Sequence, residues 1–443
     1  RGATQPGGGP RMAVRPGTGG EAALVRGRGA GGAGSGGPCK ILVCGGAVVD
    51  CIVRPFDPAQ RGASHTSLPG EARVSLGGVG RNIAEAIARL GGEPHLLSVV
   101  GDDEPGRQLG EACRSIGVGV DALLRSRRGR TATYTALLDG SGELVGAVAD
   151  MGVFDEVGAA AVRAAVDGLR GVGLIVCDAN LQAPALEQAL ASGEEAAVPV
   201  WFEPVSTAKA LRGRCARPWH LISPNWDELL ALVGRPSREG RGGDSEGTSA
   251  AGDPDWQPPV ELVGALHEAL EQRLAEHVLV TVGPGGALLA SAPGHGGGAL
   301  PPTAVGQGGQ EMAATSTPKS AAWVIDAARL LAGLADAPAG VPPLRLRVES
   351  LERPPQRAGG GGRVLWFRLL EPAASVRDVT GAGDALLAGA ARAFSGGWPL
   401  EEAMVAGLFF AHLTLFVNGA VAECLSAELF RRLGRAVVGA SRL

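Results

Sequence analysis

Residues 377–390 read RDVTGAGDALLAGA, a turn of small residues that opens an Ala/Leu-rich helix and carries a carboxylate at Asp384. Small residues leave backbone amides bare and a helix start is positive, so Gly381, Ala382 and Gly383 could hold an anion. Asp384 then seats a negative charge in the same place. Phosphoryl transfer uses both features: amides receive charge developing on the transferred oxygens, while a carboxylate takes the proton of an attacking hydroxyl. A carboxylate that only stabilises a helix start, by roughly 0.3–1 kcal/mol, needs no such purpose. Taken alone, the stretch supports both readings.

Three other stretches have the same double character. GGVGRN at 77–82 places Gly77, Gly78 and Gly80 before a helix with Asn82 in its first turn. It is either a tight turn capped by Asn82 or a place where bare backbone and an amide meet a hydroxyl-rich ligand. It misses the dinucleotide fingerprint GxGxxG, because Ile83 stands where the third glycine belongs. In PNWDE at 224–228, Asn225 and Glu228 are three apart at a helix start, as in a capping box or as a pair facing phosphate and Mg2+-bound water. TVGPGG at 281–286, from Thr281 to Gly286, follows an apolar strand and could lie against a nucleotide. A P-loop is excluded: the lysines are Lys40, Lys209 and Lys319, none in a GxxxxGK[ST] setting.

These residues hang on an alternating framework. KILVCGG, PHLLSVVG, GLIVCDA, VPVWFEP, HLISP, HVLVTVG and VLWFRLL read as strands, apolar throughout and separated by helical patterns such as GRNIAEAIARLGG. That predicts an α/β fold with a mostly parallel sheet covered on both faces. EARVSL, TATYTALLD and ELVGAVAD follow one another around a DGSG turn at 139–142, which predicts a second, small sheet within about 51–76 and 118–150. Residues 234–257 are charged, Gly-rich and patternless, and 291–362 are mostly Gly, Pro, Ala and Ser with one helix-like piece at 321–334; both read as surface insertions. A last helix is expected at 425–436, followed by a tail at 437–443.

The 443 residues are 45% hydrophobic with a net charge of −4, ample for a large core. Basic residues are scattered apart from RSRRGR at 125–130, so a nucleic-acid partner is not expected. Seven cysteines without a CxxC pair argue against a disulfide framework or a zinc site, and no apolar run has the length of a membrane span. Residues 1–38 are Gly/Pro/Arg-rich and are expected to be a disordered lead; the initial Arg points to a fragment or a processed product. The terminal Ser441-Arg442-Leu443 is a close variant of the SKL peroxisomal address, so the expected location is peroxisomal, otherwise cytoplasmic.

In this order, GGxGxN, NxxE, a glycine loop after the next strand and DxTGAGD resemble the PfkB or ribokinase family of sugar and nucleoside kinases over residues 39–436. LGGVGRNIAEAIARLG, TYTALLDGSGELVGAVADM, VPVWFEPVSTAK and ISPNWDELLAL are most similar to the members that act on pseudouridine. The resemblance implies a ribokinase-like three-layer α/β/α sandwich with a small β lid, ATP as donor, Mg2+, and often a monovalent cation such as K+. It implies Asp384 as catalytic base, Gly381, Ala382 and Gly383 as anion hole, and Asp378 near the monovalent cation. Asn225 and Glu228 would organise phosphate and Mg2+, and Thr281, Gly283 and Gly286 would line the nucleotide. Asp50, Gly77, Gly78 and Asn82 would grip ribose hydroxyls, with Tyr134 or Thr133 closing over the base. It also implies pairing of lids into a homodimer and, in many eukaryotes, fusion to a pseudouridine-5′-phosphate glycosidase. Val48 and Glu203 depart from the pattern, standing where Asn and Asp are usual. Kinases of ribose or adenosine and a catalytically inactive nucleoside-binding relative are the alternatives.

Overall fold

The computed structural model describes residues 39–57, 67–236, 256–295, 320–334, 337–338, 340–351, 362–370, 376–377, 379–417 and 419–440. The chain starts with β1 (Lys40–Cys44), β2 (Val48–Pro55), β3 (Gly70–Gly77), α1 (Val79–Arg89), β4 (Glu93–Gly101) and α2 (Glu104–Ser115). It continues through β5 (Leu123–Ser126), β6 (Thr133–Leu138), β7 (Leu144–Asp150), α3 (Ala159–Gly168), β8 (Val172–Asp178), α4 (Ala183–Ala196) and β9 (Val200–Glu203). Next come α5 (Thr207–Ala210), β10 (Trp219–Ile222), α6 (Trp226–Val233), α7 (Val260–Glu271), β11 (Ala275–Thr281) and β12 (Ala287–Ser291). The last elements are β13 (Ser320–Ile325), α8 (Ala327–Leu331), β14 (Leu344–Leu351), β15 (Arg363–Leu369), α9 (Ala382–Ser395), α10 (Leu400–Thr414) and α11 (Ala427–Ala440).

The main sheet has the order β13-β14-β15-β12-β11-β10-β9-β8-β1-β4-β5, parallel from β11 to β5 and antiparallel beyond β11. Each central strand is apolar on both faces because both are covered. In β1, Ile41 and Val43 enter one core with α1, α9 and α10, while Leu42 and Cys44 enter the other with α4, α6 and α7. This is the expected three-layer sandwich. A second sheet, β3-β2-β6-β7, forms the small lid.

Three boundaries differ from expectation. The stretch 291–362 is not wholly a surface insertion, since β13 and β14 extend the main sheet and α8 lies between them. In LRLRVES, Leu344, Leu346 and Val348 are buried while Arg345 and Arg347 are exposed, the period-2 signature of a strand with one covered face. The expected helix-like piece at 321–334 is strand first and helix second. β5 belongs to the main sheet beside β4, so the lid's second half begins at β6. The final helix runs on to Ala440, past the expected tail boundary, whereas the SRL end, residues 237–255 and residues 1–38 lie outside the described residues. Among the described residues no helix is long and apolar enough to cross a membrane.

Candidate active site

The parallel strands end at a common edge, and the chemistry-bearing residues gather there. After β1 the chain turns at Gly45–Gly46, and after β3 it turns again at Gly78 into α1. Gly78 has φ +94°, and a Cβ there would stand 2.5 Å from the Gly46 carbonyl oxygen, so only glycine fits. One buried carboxylate ties both turns together. Asp178, the last residue of β8, accepts from Gly46 N–H (2.8 Å), Gly80 N–H (2.7 Å) and Asn180 N–H (2.8 Å). Burial still lifts it above the usual carboxylate range, the donors only partly offsetting that.

Asn82 does not cap α1; Gly78 is at the cap position without a side-chain bond. The Asn82 amide instead reaches across the site, with Nδ2 donating to Asp384 Oδ2 at 2.9 Å. Its orientation is set by Arg81, whose Nη1 donates to Asn82 Oδ1 (3.1 Å) and the Leu76 carbonyl (2.9 Å), while Nη2 is paired with Glu85. Asp384 lies in the first turn of α9. Burial raises its pKa to about 7, with the Asn82 donor lowering it and Asp178 pushing it up. Gly381 caps this helix at φ +77°, and a Cβ would meet the Ala420 carbonyl oxygen at 2.0 Å. Of the three expected anion-hole amides, Ala382 N–H donates to the Val379 carbonyl at 3.2 Å. Gly383 and Asp384, in the first turn, carry the amides that a helix start leaves without internal acceptors.

Asn225 and Glu228 form the full capping box of α6: Asn225 Oδ1 accepts from Glu228 N–H (2.9 Å) and Glu228 Oε2 from Asn225 N–H (2.8 Å). The two readings of NxxE are therefore compatible, since the box leaves Glu228 Oε1 for other work. Beside it lies Glu203, overlooked in the sequence as a site residue and bonded by Ser223 Oγ at 2.5 Å. Burial, then repulsion from Glu228 and from Asp384, push Glu203 well above the carboxylate range. Carboxylates crowded in this way offer hard oxygen donors to a divalent cation.

Beside this cluster comes the glycine loop, with Thr281 bridged to Asn225 and Trp366 Nε1 donating to the Gly285 carbonyl at 2.9 Å. A family model described as pfkB family carbohydrate kinase matches residues 40–307. The chain belongs to the pfkB family.

An uncharacterised sugar kinase of Escherichia coli is 37% identical over 177 residues, covering 39% of this chain and 47% of its own. The pseudouridine kinase of Escherichia coli is 36% identical over 180 residues, covering 39% of this chain and 57% of its own. The chain thus spans about half the length of the curated relatives it matches. Arabidopsis thaliana ribokinase, solved with ribose and ATP, superposes with a TM-score of 0.59 at 17% identity over 89% of this chain and 98% of that one, a likeness of fold. Asp50 lies on β2, in register between Ser75 of β3 and Tyr134 of β6, and a Cβ on Gly77 would stand 1.9 Å from its Oδ2. Burial raises Asp50, with Arg81 opposing the shift. Asp378 lies outside the described residues.

A separate group, His220, Glu276 and His277, meets at the opposite ends of β10 and β11. Trp201 Nε1 donates to His220 Nδ1 at 3.1 Å, so the neutral ring keeps its proton on Nε2. Burial lowers His220 to about 4 and His277 to about 3. His277 is buried, while His220 and Glu276 are partly exposed, and the group lies away from the site described above.

Proposed function

We propose that this chain is an ATP-dependent kinase that phosphorylates the 5′-hydroxyl of pseudouridine. The observation that carries the reading is the 2.9 Å bond from Asn82 to Asp384, between residues 302 apart in sequence. It joins the glycine turn beside the lid to a carboxylate poised near neutral pH at a helix start. The match to a pseudouridine kinase supports the choice of substrate. An inactive relative has no use for a base, an orienting amide and bare helix-start amides in one place.

In this mechanism Asp50, Gly77 and Gly78 hold the ribose hydroxyls and Tyr134 flanks the base. Asn82 fixes the carboxylate of Asp384, which takes the proton of the 5′-hydroxyl as that oxygen attacks the γ-phosphorus of ATP and the bond from that phosphorus to the bridging oxygen breaks, releasing ADP. The first-turn amides of α9 face the phosphoryl oxygens, and Thr281, Gly283 and Gly286 line the nucleotide. Glu228, with Glu203, would hold Mg2+ through water, and the ion would supply positive charge against the phosphates. The purified protein with ATP and Mg2+ should turn over pseudouridine with a higher kcat/KM than uridine, adenosine or ribose. A higher value for any of the others overturns the substrate assignment.

Asn82→Ala gives a diagnostic result. The general base works when ionised, so kcat/KM should rise with pH through about 7. Removing a donor to the carboxylate favours its protonated form, so the acid limb moves to higher pH, with roughly a tenfold loss at neutral pH. An unmoved limb would count against Asp384 as base.

The lid's outer face is proposed to pair with a second copy. Val74, Cys51, Thr135 and Val148 form one cross-strand row, and Val74 and Val148 are 65% and 70% exposed. Val148→Asp should shift a dimer to monomer in light scattering. A wild-type monomer at micromolar concentration contradicts the pairing.

A further inference from the structure

A cavity of about 310 Å3 opens beside the lid, lined by Ala149 and Met151 at the end of β7, Asp155, Asn180, Gln182, Lys209 and Arg212 among others. None of these residues has a role in the proton or phosphoryl chemistry above. The cavity is nevertheless joined to that site. Asn180 lies flat on the substrate turn, its Nδ2 2.6 Å from where a Cβ on Gly46 would sit, and its N–H is held by Asp178. Lys209 Nζ donates to Asn180 Oδ1 at 2.7 Å and contacts Met151 Sδ at 3.7 Å. Above, the cross-strand row of Asp50 and Tyr134 ends on Ala149, which forms the cavity wall.

A nucleoside with its 5′-hydroxyl at Asp384 and its ribose hydroxyls at Asp50 must send its base away from both. We infer that this cavity receives the base of the nucleoside and that Lys209 is a specificity-determining residue, donating to a ring carbonyl oxygen. The inference rests on the pseudouridine reading. The volume is of the size that small-ligand pockets take. Lys209 has three donors, and Asn180 and the Met151 sulfur engage two of them, leaving one for the cavity. Arg212 Nη1 is engaged by the carbonyls of Ala179 (2.8 Å) and Asn180 (3.2 Å), which fixes the guanidinium on the floor. Asp155, whose Oδ1 accepts from Gln182 Nε2 at 2.5 Å, is an acceptor on the wall. Uracil presents carbonyl oxygens and ring N–H groups, and this wall presents donors together with the acceptor oxygens of Asp155 and Gln182. Burial also lowers the Lys209 ammonium, with Asp178 opposing the shift and Arg212 adding to it.

The test separates binding the base from holding the turn. Steady-state kinetics with pseudouridine and ATP would compare the wild type with Lys209→Met and Lys209→Arg. A lost charge-assisted hydrogen bond to the bound nucleoside raises KM for pseudouridine about 10- to 100-fold, with kcat falling less than about threefold. Lys209→Arg keeps a donor and should recover most of that loss. If kcat falls while KM holds, Lys209 only positions Asn180 and the turn, and the inference fails. It fails equally if KM for ATP rises instead, or if neither constant moves. A wild type that does not phosphorylate pseudouridine sinks the substrate reading itself, which is a different result.

Discussion

Asp384→Asn should lower kcat on pseudouridine at least about 100-fold and, at pH 8 without metal, raise the melting temperature. The two effects have one cause. Burial lifts the Asp384 pKa from 3.8 to about 7, so folding favours its neutral form. That stabilisation is fully present below about pH 3.8 and is lost as pH rises to about 7; above it the wild type carries the whole cost of a buried charge. Complete conversion of the shift gives about 4 kcal/mol, but the side chain keeps some contact with solvent, so about 1–2 kcal/mol is expected. Asparagine carries no charge and escapes the penalty. A carboxylate that served only the helix start would behave oppositely, its loss costing roughly 0.3–1 kcal/mol. Thermal melts at pH 5 and pH 8 therefore distinguish the two readings left open by RDVTGAGD. A variant less stable than the wild type at pH 8, or within tenfold of its activity, would falsify the assignment of Asp384 as a buried base.

Seven strands of the main sheet, β1, β4, β8, β9, β10, β11 and β15, were legible because short apolar runs closed by Gly, Asp or Pro have few other homes than a sheet covered on both faces. β14 was not, because its alternation LRLRVES lies within a stretch dominated by Gly and Pro, and composition masked the period. Site residues with a glycine signature were readable from sequence, since a turn at Gly78 or Gly381 demands a residue without a side chain. Their partners were not. Nothing local in GLIVCDA distinguishes Asp178 from an ordinary turn aspartate, because its three donors come from other segments as well as its own. Likewise Asn82 reads as a cap until the fold brings α9 opposite α1. Glu203 drew notice only as a departure from a familiar pattern. Its environment, with Glu228 and Asp384 nearby, exists only after β9, α6 and α9 converge.

Asp178→Ala is expected to be the most destabilising single change at this end of the sheet. It removes one acceptor group from Gly46, Gly80 and Asn180 N–H, and buried donors without partners cost about 1–3 kcal/mol each before water or rearrangement compensates. A net loss of about 3 kcal/mol lowers the melting temperature by roughly 3–4 °C for a chain of this size. Activity should fall as well, because the Gly80 bond anchors α1 and α1 carries Asn82 to Asp384. Asp178→Asn separates anchoring from electrostatics. Its amide oxygen can still accept from the two glycine turns, so much of the stability should return. The negative charge that pushes Asp384 up is gone, however, and the acid limb of kcat/KM should move to lower pH. A purely structural Asp178 would leave that limb where it stands in the wild type. A movement downward in Asp178→Asn, set against the upward movement expected in Asn82→Ala, would show Asp384 balanced between a repelling carboxylate and an attracting amide.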